Sequence, residues 1–280
     1  MPVSHGEARV PARPRSERTG IEFTMSGNGR PILFLHGIPT SRSLWGMVAA
    51  RLQDRFTCIA ADLPGMGESP SLHDGSLDPS RYADEIESLR QRLSVEDWEI
   101  VGHDAGSTIA VHYAARYPNQ VKRLVLCSPP VFPDFQIPWY FRAMRAPLAG
   151  ECLAPLIPLF WRVGLPLAIR HEGIRAREIA REFEGPFAGL DGARRFIAIL
   201  RWGDPREVLA RTAALLPNVQ APTLILQGKH DGAVPPAFAF RAASVMRNAQ
   251  IEMLENGHFL PLECPELVAE HISRFLASRP

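Results

Sequence analysis

One short segment of the chain has the residue pattern of a nucleophile on a sharp turn. Asp104 lies in "IVGHDAGST", where an apolar, strand-like run meets a helical pattern, and Gly102 and Gly106 stand two residues to either side. Glycines at this spacing keep side chains out of a crowded strand–turn–helix, and the start of the helix favours negative charge. Asp104 is therefore a candidate nucleophile, a carboxylate at the position where many hydrolases carry a serine.

Two later residues could complete a catalytic set with Asp104. Asp231 follows the apolar run "LILQG" and His258 follows "IEMLENG", so both fall in loops expected at the carboxyl ends of parallel strands. A histidine oriented by a buried carboxylate is a general base, here for water. Asp134, in "PPVFPDF", is the alternative orienting acid, and His230 is expected to be an exposed neighbour of Asp231.

The elements around these residues alternate in the manner of an α/β protein. The apolar runs "PILFL", "FTCIA", "WEIV" and "VKRLVLC" are typical of buried parallel strands. Ser80 is placed to cap the helix over residues 80–93, and Pro118 ends the helix that follows Asp104. Helical fragments rich in proline and aromatic residues then run to about residue 216, after which the alternation resumes with "TLILQG". This order predicts an α/β sheet with a helical insertion.

At its motifs the chain resembles the aspartate-nucleophile branch of the α/β-hydrolase-fold enzymes, which holds haloalkane dehalogenases and epoxide hydrolases. The resemblance is carried by "HGIPTSRSLW", "DLPGMGES", "GHDAG" and "ENGHFLPLECPE", and it covers residues 20 to 280. The chain order of nucleophile, acid and histidine is also that of this family. The resemblance implies an oxyanion hole formed by the backbone N–H groups of Ile38 and Ala105.

The resemblance also implies the α/β-hydrolase fold. Its mostly parallel, eight-stranded sheet is flanked by helices, and a helical cap is inserted after strand 6. We assign the core to residues 19–128 and 217–280 and the cap to residues 129–216. A flexible tail is expected over residues 1–18.

A carboxylate nucleophile favours attack on saturated carbon, because attack on an ordinary ester would give a reactive anhydride. In the dehalogenases the halide is bound by a tryptophan directly after the nucleophile and by a second donor in the "HGxP" turn or the cap. This chain has Ala105 and Ile38 at the two core positions. Trp139, Trp161 or Trp202 could supply one donor from the cap. A fluoroacetate dehalogenase would carry an arginine in place of Ala105.

Epoxide hydrolases of this branch protonate the opening oxygen with cap tyrosines, and Tyr140 is the tyrosine of the predicted cap. Tyr82, Tyr113 and Tyr117 fall in predicted core helices. The favoured function is therefore hydrolysis of an epoxide in a hydrophobic small molecule, through an alkyl–enzyme ester and His-activated water, without cofactor or metal. The alternatives are a haloalkane dehalogenase-like hydrolase, and a cofactor-free lyase, an isomerase or an inactive binding protein on the same scaffold.

Residues around the motifs are expected to form the substrate pocket. His36 is expected to support the oxyanion loop, and His103 to pack beneath the turn at Asp104. The other pocket candidates are Pro39, Trp45, Trp139, Trp161 and Phe259.

Composition narrows the classes of function. A formal net charge of +1 and the lack of a basic stripe argue against nucleic-acid binding. The 4 cysteines are widely separated and predict neither a disulfide framework nor a zinc site. The N-terminus has no apolar signal core, and prolines and charges break the apolar stretch 146–169, so no transmembrane segment is expected there. Short helices lining an apolar cavity are expected instead. We expect a cytoplasmic monomer or homodimer.

Overall fold

The structure, a computed structural model, describes residues 20–72, 78–169, 175–201 and 203–278. The tail expected over residues 1–18 lies outside the described residues, as does Trp202.

The described strands form a single seven-stranded sheet in the order β1-β3-β2-β4-β5-β6-β7. The strands are β1 (Phe23–Ser26), β2 (Arg30–Leu35), β3 (Phe56–Ala61), β4 (Trp98–His103), β5 (Val121–Cys127), β6 (Thr223–Gly228) and β7 (Ala249–Leu254). Strand β1 pairs antiparallel with β3, and every other pair is parallel. The described residues hold seven strands, one fewer than the expected eight, and the first of them is β1. The helical insertion consequently follows β5.

Helices flank the sheet, as the alternating pattern predicts. Those of the first half are α1 (Gly46–Leu52), α2 (Pro79–Arg92) and α3 (Ala105–Arg116). Helix α2 begins one residue earlier than expected: the carboxylate of Asp78, not the side chain of Ser80, caps it by accepting the backbone N–H of Ser80 at 2.9 Å. Pro79 then occupies the first helical position, where a missing N–H costs nothing.

A helical insertion connects β5 to β6. Its helices are α4 (Trp139–Arg145), α5 (Ala149–Leu153), α6 (Ile157–Leu159), α7 (Leu165–Ala168), α8 (Arg175–Glu184), α9 (Gly189–Leu200) and α10 (Pro205–Leu215), with a π-helical turn at Phe160–Gly164. The chain then returns to the sheet and ends with α11 (Ala237–Val245), α12 (Leu260–Glu263) and α13 (Pro265–Ala277). Helix α10 packs against α3, which joins the insertion to the sheet layer.

The core lies on both faces of the central strands. All six residues of β4 and of β6 are buried, since helices cover the sheet on both sides. The edge strands β1 and β7 are less buried. The carboxyl ends of β2, β4, β6 and β7 meet at one rim of the sheet, and the candidate catalytic residues follow these strands.

One helical stretch among the described residues, Ala149–Ala168, is long and apolar enough to pass a test for a membrane span, and 22% of its 18-residue apolar window is buried in the protein. It consists of α5, α6, α7 and the short turns between them, and Pro155, Pro158 and Pro166 lie within it. Length and composition alone are weak grounds for a spanning helix.

Candidate active site

Asp104 occupies a sharp turn between β4 and α3. Its φ of 51° lies in the left-handed region, which is strained for a residue with a Cβ atom. The flanking glycines are required by space: a Cβ atom on Gly102 would lie 2.6 Å from the carbonyl oxygen of Gly106, and one on Gly106 would lie 2.4 Å from that of Leu35. The strand, the two glycines and the helix thus hold the carboxylate at the rim of the sheet, as the sequence pattern predicts.

His258 is oriented by Asp231. Its Nδ1 lies 2.9 Å from Oδ2 of Asp231, whose other oxygen accepts the backbone N–H groups of Ala233 and Val234 at 2.8 Å each. Because Oδ1 accepts both backbone N–H groups, the carboxylate of Asp231 is held with Oδ2 toward the imidazole, where it accepts a hydrogen bond from Nδ1 of His258. The lone pair on Nε2 then faces Asp104, whose Oδ2 is 3.8 Å away.

The alternative acid, Asp134, lies away from the histidine. Its carboxylate is 59% exposed and forms an ion pair with Arg241 at 2.6 Å. Asp231, by contrast, is buried behind the imidazole. Asp231 is thus the carboxylate bound to His258, and Asp134 is a surface residue.

Backbone donors surround the Asp104 carboxylate on its other side. The N–H of Ile38 donates to Oδ1 at 3.1 Å, and the N–H of Ala105 also donates to the carboxylate. These are the two groups expected to form the oxyanion hole. His36 lies beneath the loop: its Nδ1 donates to the carbonyl of Gly37 at 2.9 Å, and its Nε2 accepts the N–H of Leu63 at 3.0 Å. The imidazole therefore fixes the loop and does not reach the cavity.

Burial and the neighbouring charges shift the pKa values of all three residues. Burial raises the pKa of Asp104, an effect that the charge of His258 and the two N–H donors oppose. Burial also disfavours the charged form of Asp231, but the charge and hydrogen bond of His258 outweigh it and lower the pKa of Asp231 to about 2. Burial disfavours protonated His258, but the carboxylates of Asp231 and Asp104 raise its pKa above the usual 6.5.

His103 lies directly under His258. It is 1% exposed, and its Nε2 donates to the carbonyl oxygen of His258 at 2.9 Å. Burial, followed by the charge of His258, lowers the pKa of His103 to about 3, so this ring is neutral at physiological pH. His103 therefore packs beneath the turn, as expected, and its ring supports the loop that carries the base.

A cavity of about 560 Å³ opens above Asp104 and His258. Its wall is mostly apolar and is built by the loop after β2, the residues before α4, helices α4 and α7, and the loops after β6 and β7. Of the predicted pocket residues, those that line it are Pro39, Trp139 and Phe259, and Tyr140, the candidate ring-opening acid, lines it too. Such a cavity fits a hydrophobic small molecule.

Two predicted pocket residues, Trp45 and Trp161, do not line this cavity. Trp45 is fully buried in the core and packs on Phe34, with ring centroids 5.1 Å apart. Trp161 is 1% exposed and stacks on Phe187 inside the insertion, with ring centroids 5.6 Å apart. His36 and His103 are absent from the described lining for the same reason: each is buried beneath the loop it supports.

Two further residues at the site, Glu263 and Arg145, were not predicted from the sequence. Glu263 accepts the backbone N–H of Gly257 at 2.5 Å and that of Phe259 at 3.1 Å, and so fixes both neighbours of His258. An acidic residue inside the apolar run "FLPLEC" was the available signal. Arg145 lines the cavity, and its guanidinium donates to the carbonyls of Leu200 and Gly203. Nothing in the sequence distinguishes it from the other arginines of the insertion.

Comparisons with known proteins show what the chain is similar to. The chain is 28% identical over 270 residues to the cis-3-alkyl-4-alkyloxetan-2-one decarboxylase of Shewanella oneidensis, covering 91% of this chain and 85% of that protein. It is 29% identical over 273 residues to a haloalkane dehalogenase of Bradyrhizobium diazoefficiens, covering 88% and 86%. The crystal structure of haloalkane dehalogenase DbeA from Bradyrhizobium elkani superposes with a TM-score of 0.80 at 25% identity, covering 92% and 94%.

The family model described as the alpha/beta hydrolase fold matches residues 30–265, which include all the candidate catalytic residues. Together with the parallel sheet, the strained turn at Asp104 and the order Asp104, Asp231, His258, this match identifies the chain as a member of the alpha/beta hydrolase fold family.

Proposed function

We propose that this protein hydrolyses an epoxide in a hydrophobic small molecule, with Asp104 as the nucleophile. The observation that carries the proposal is the position of the Asp104 carboxylate between the N–H of Ile38 on one side and Nε2 of His258 on the other, at the base of an apolar cavity. The insertion over residues 129–216 is, in this proposal, the cap that closes the cavity above the nucleophile.

In the first step Asp104 attacks one carbon of the epoxide ring. The C–O bond of the ring breaks, and the oxygen takes a proton from the hydroxyl group of Tyr140, which lines the cavity. The product is a 2-hydroxyalkyl ester of Asp104. Burial raises the pKa of Tyr140, so its hydroxyl group holds its proton until the alkoxide forms. Tyr140 is left as the phenolate, which regains its proton through solvent from the second step.

In the second step His258 takes a proton from water. The hydroxide adds to the carboxyl carbon of Asp104, and the oxyanion that forms is bound by the N–H groups of Ile38 and Ala105. Collapse of this adduct breaks the ester bond and releases the diol, whose alkoxide takes the proton from His258. The carboxyl group of Asp104 then gives up the proton that came with the hydroxide. This proton passes through solvent to the Tyr140 phenolate, and the carboxylate is restored. The sum is one epoxide and one water converted to one diol.

The surroundings of Asp104 favour an oxygen leaving group over a halide. The residue after the nucleophile is Ala105, which offers no side-chain N–H. Trp161 is buried in the insertion away from the described cavity lining, and Trp202 lies outside the described residues. Trp139 lines the cavity but is 76% exposed, so it is poorly placed to exclude water from a halide. Tyr140 is a donor suited to an alkoxide.

A second candidate function comes from the oxetanone decarboxylase of Shewanella oneidensis to which the chain is similar. An oxetan-2-one is also a strained ring with a saturated carbon bonded to oxygen. Attack of Asp104 on that carbon breaks the C–O bond and gives an ester with a carboxylate on the next carbon. Loss of carbon dioxide, with departure of Asp104, then gives an alkene and needs no water.

The deciding experiment uses the variant His258→Gln, which lacks the base but keeps the nucleophile. The variant is incubated with epoxides, haloalkanes and a cis-dialkyl oxetan-2-one, and intact-protein and peptide mass spectra are searched for an ester on Asp104. We expect an adduct with the mass of the epoxide, absent from the double variant Asp104→Asn/His258→Gln. Wild-type turnover of an epoxide without any adduct in His258→Gln would overturn the covalent mechanism.

The products of the wild-type protein separate the candidates. Diol supports the proposed epoxide hydrolysis, halide ion the dehalogenase-like alternative, and carbon dioxide with alkene the decarboxylase alternative. Decarboxylation that persists in His258→Gln would further distinguish the third route, because only the hydrolytic routes require activated water.

A further inference from the structure

Exposed apolar side chains are concentrated in one part of the insertion. Eleven large hydrophobic residues are exposed among the described residues, and six of them fall between positions 139 and 167. These six are Trp139, Leu148, Leu156, Leu159, Val163 and Leu167. Single exposed apolar residues are ordinary, but a concentration of this kind marks an interaction surface.

The helical stretch Ala149–Ala168 has two apolar faces. Residues Ala154, Ile157, Trp161 and Leu165 recur at intervals of three and four and are buried against the rest of the insertion. The outer side, where a water-exposed helix normally carries its charges, presents leucine and valine instead. We define the apolar face as the exposed residues of this outer side together with Leu148, which directly precedes the stretch. Its residues are Leu148, Leu156, Leu159, Val163 and Leu167.

Charge is sparse on this stretch. Glu151 and Arg162 are its only charged residues, and each has a partner outside it: Arg201 for Glu151 at 2.6 Å and Glu184 for Arg162 at 3.3 Å. Between residues 139 and 169 as a whole there are three arginines, Arg142, Arg145 and Arg162, against the single acid Glu151. The surroundings of the apolar face are therefore basic.

The apolar face continues into the catalytic cavity. Leu167 is 78% exposed and also lines the cavity, and Trp139 does the same at 76% exposure. Leu167 therefore belongs both to the apolar face and to the wall of the cavity that contains Asp104. A hydrophobic substrate held at the apolar face would lie next to this cavity.

We propose that the apolar face binds the surface of an anionic lipid bilayer, so that apolar substrate passes from the lipid into the cavity. This composition is typical of a segment that lies at a membrane–water interface. Such a segment has apolar side chains on one face, and it carries aromatic and basic residues such as Trp139 and the arginines between residues 139 and 169. A spanning segment does not fit, because the prolines break the stretch and its inner side chains are packed into the insertion. A second copy of the chain fits less well, because it would bring like charges together and cover the cavity mouth.

The test is flotation of the full-length protein with vesicles of phosphatidylcholine alone or of phosphatidylcholine with phosphatidylglycerol in equal parts. We expect the protein to float with the anionic vesicles and less with the neutral ones. The variant Leu148→Gln/Leu156→Gln/Leu159→Gln should bind roughly tenfold or more weakly, since three apolar side chains are lost from the face and none from the described cavity lining.

A matched control changes three exposed apolar residues elsewhere, Met25→Gln/Phe240→Gln/Leu267→Gln, and should float as the wild type does. Circular dichroism confirms that both variants are folded. Failure of the wild type to float, or equal flotation of both triple variants, overturns the proposal. A dimer that only the Leu148→Gln/Leu156→Gln/Leu159→Gln variant loses, without vesicle binding, assigns the face to a second copy and also overturns it. The experiment measures no turnover, so its outcome is independent of the proposed epoxide chemistry.

Discussion

Nε2 of His258 lies 3.8 Å from Oδ2 of Asp104, beyond a good hydrogen bond. A base that must deprotonate a serine has to touch the hydroxyl group, because the proton moves directly between them. A carboxylate nucleophile has no proton to give. At this separation Nε2 of His258 is not hydrogen-bonded to the nucleophile, so it is available to take a proton from a water that attacks the ester. The separation thus fits a base that acts on the second substrate.

Replacement of the orienting acid should stop the second step and spare the first. Asp231→Asn removes the charge that fixes the Nδ1 proton of His258, and we expect kcat to fall roughly 10³- to 10⁴-fold. Attack by Asp104 needs no base, so the ester should accumulate on the variant within one turnover. Rapid-quench mass spectrometry of Asp231→Asn with an epoxide measures both effects.

The matched control for this variant is Asp134→Asn. Asp134 pairs with Arg241 at the surface and has no contact with His258, so its loss should leave kcat unchanged. A large fall in kcat for Asp134→Asn, with near-normal turnover for Asp231→Asn, would contradict the assignment of the acid.

Hydrolysis of the ester should depend on pH through His258. Burial disfavours protonated His258, whereas the charge and hydrogen bond of Asp231 favour it. Only the neutral imidazole can accept a proton from water, and Asp104 is uncharged in the ester. The hydrolysis rate should therefore fall as the pH drops through the pKa that His258 has in the ester, where Asp231 is the carboxylate that raises it. Single-turnover decay of the ester across pH 5 to 9 (roughly the range over which histidine titrates) measures this limb.

Asp231→Asn should move this fall in the hydrolysis rate, the acidic limb of the pH–rate profile, to lower pH. The variant removes the negative charge that stabilises protonated His258, so the imidazole loses its proton at lower pH than in the wild type. The residual rate will be low, but its midpoint is measurable. A limb that stays in place in Asp231→Asn would mean that another group controls hydrolysis.

Tyr140→Phe should slow formation of the ester. The variant keeps the aromatic ring in the cavity wall and removes the proton donor, and we expect a loss of roughly 10²- to 10⁴-fold in the alkylation rate. The measurement is single-turnover ester formation in the His258→Gln background. Tyr117→Phe is the control, because the Tyr117 hydroxyl group donates to Asp84 at 2.9 Å on a core helix. Equal alkylation rates for the two variants would exclude Tyr140 as the acid.

The positions of Asp104, Asp231 and His258 could be predicted because each lies in the turn or loop that follows a strand. The residue types within β4, β6 and β7 fix where the strands end, and parallel strands bring their carboxyl ends to one rim. Loop residues next to a strand end therefore approach one another whatever the rest of the chain does. The expectation that the N–H groups of Ile38 and Ala105 form an oxyanion hole came from the resemblance to the hydrolase family, and both residues lie in loops after strands.

The side chains that line the cavity could be predicted only in part. Trp45 and Trp161 were expected in the pocket, yet both are buried in clusters of aromatic rings. An aromatic side chain in the insertion can turn toward the cavity or toward a neighbouring helix, and only the packing of those helices decides. The same holds for Arg145, whose position depends on the carbonyl groups of Leu200 and Gly203, more than fifty residues away along the chain.

The two carboxylate oxygens of Glu263 accept the N–H groups of Gly257 and Phe259, on either side of His258. Glu263→Gln places an amide N–H against one of these buried donors, and this mismatch should lower the free energy of unfolding by about 1–3 kcal/mol. The loop that carries His258 loses a restraint, so hydrolysis of the ester should slow more than its formation. Glu270→Gln makes the same change of charge at an exposed site and should cost at most about 0.5 kcal/mol. Urea unfolding and single-turnover kinetics compare the two; equal stability and equal ester hydrolysis would show that Glu263 does not position the base.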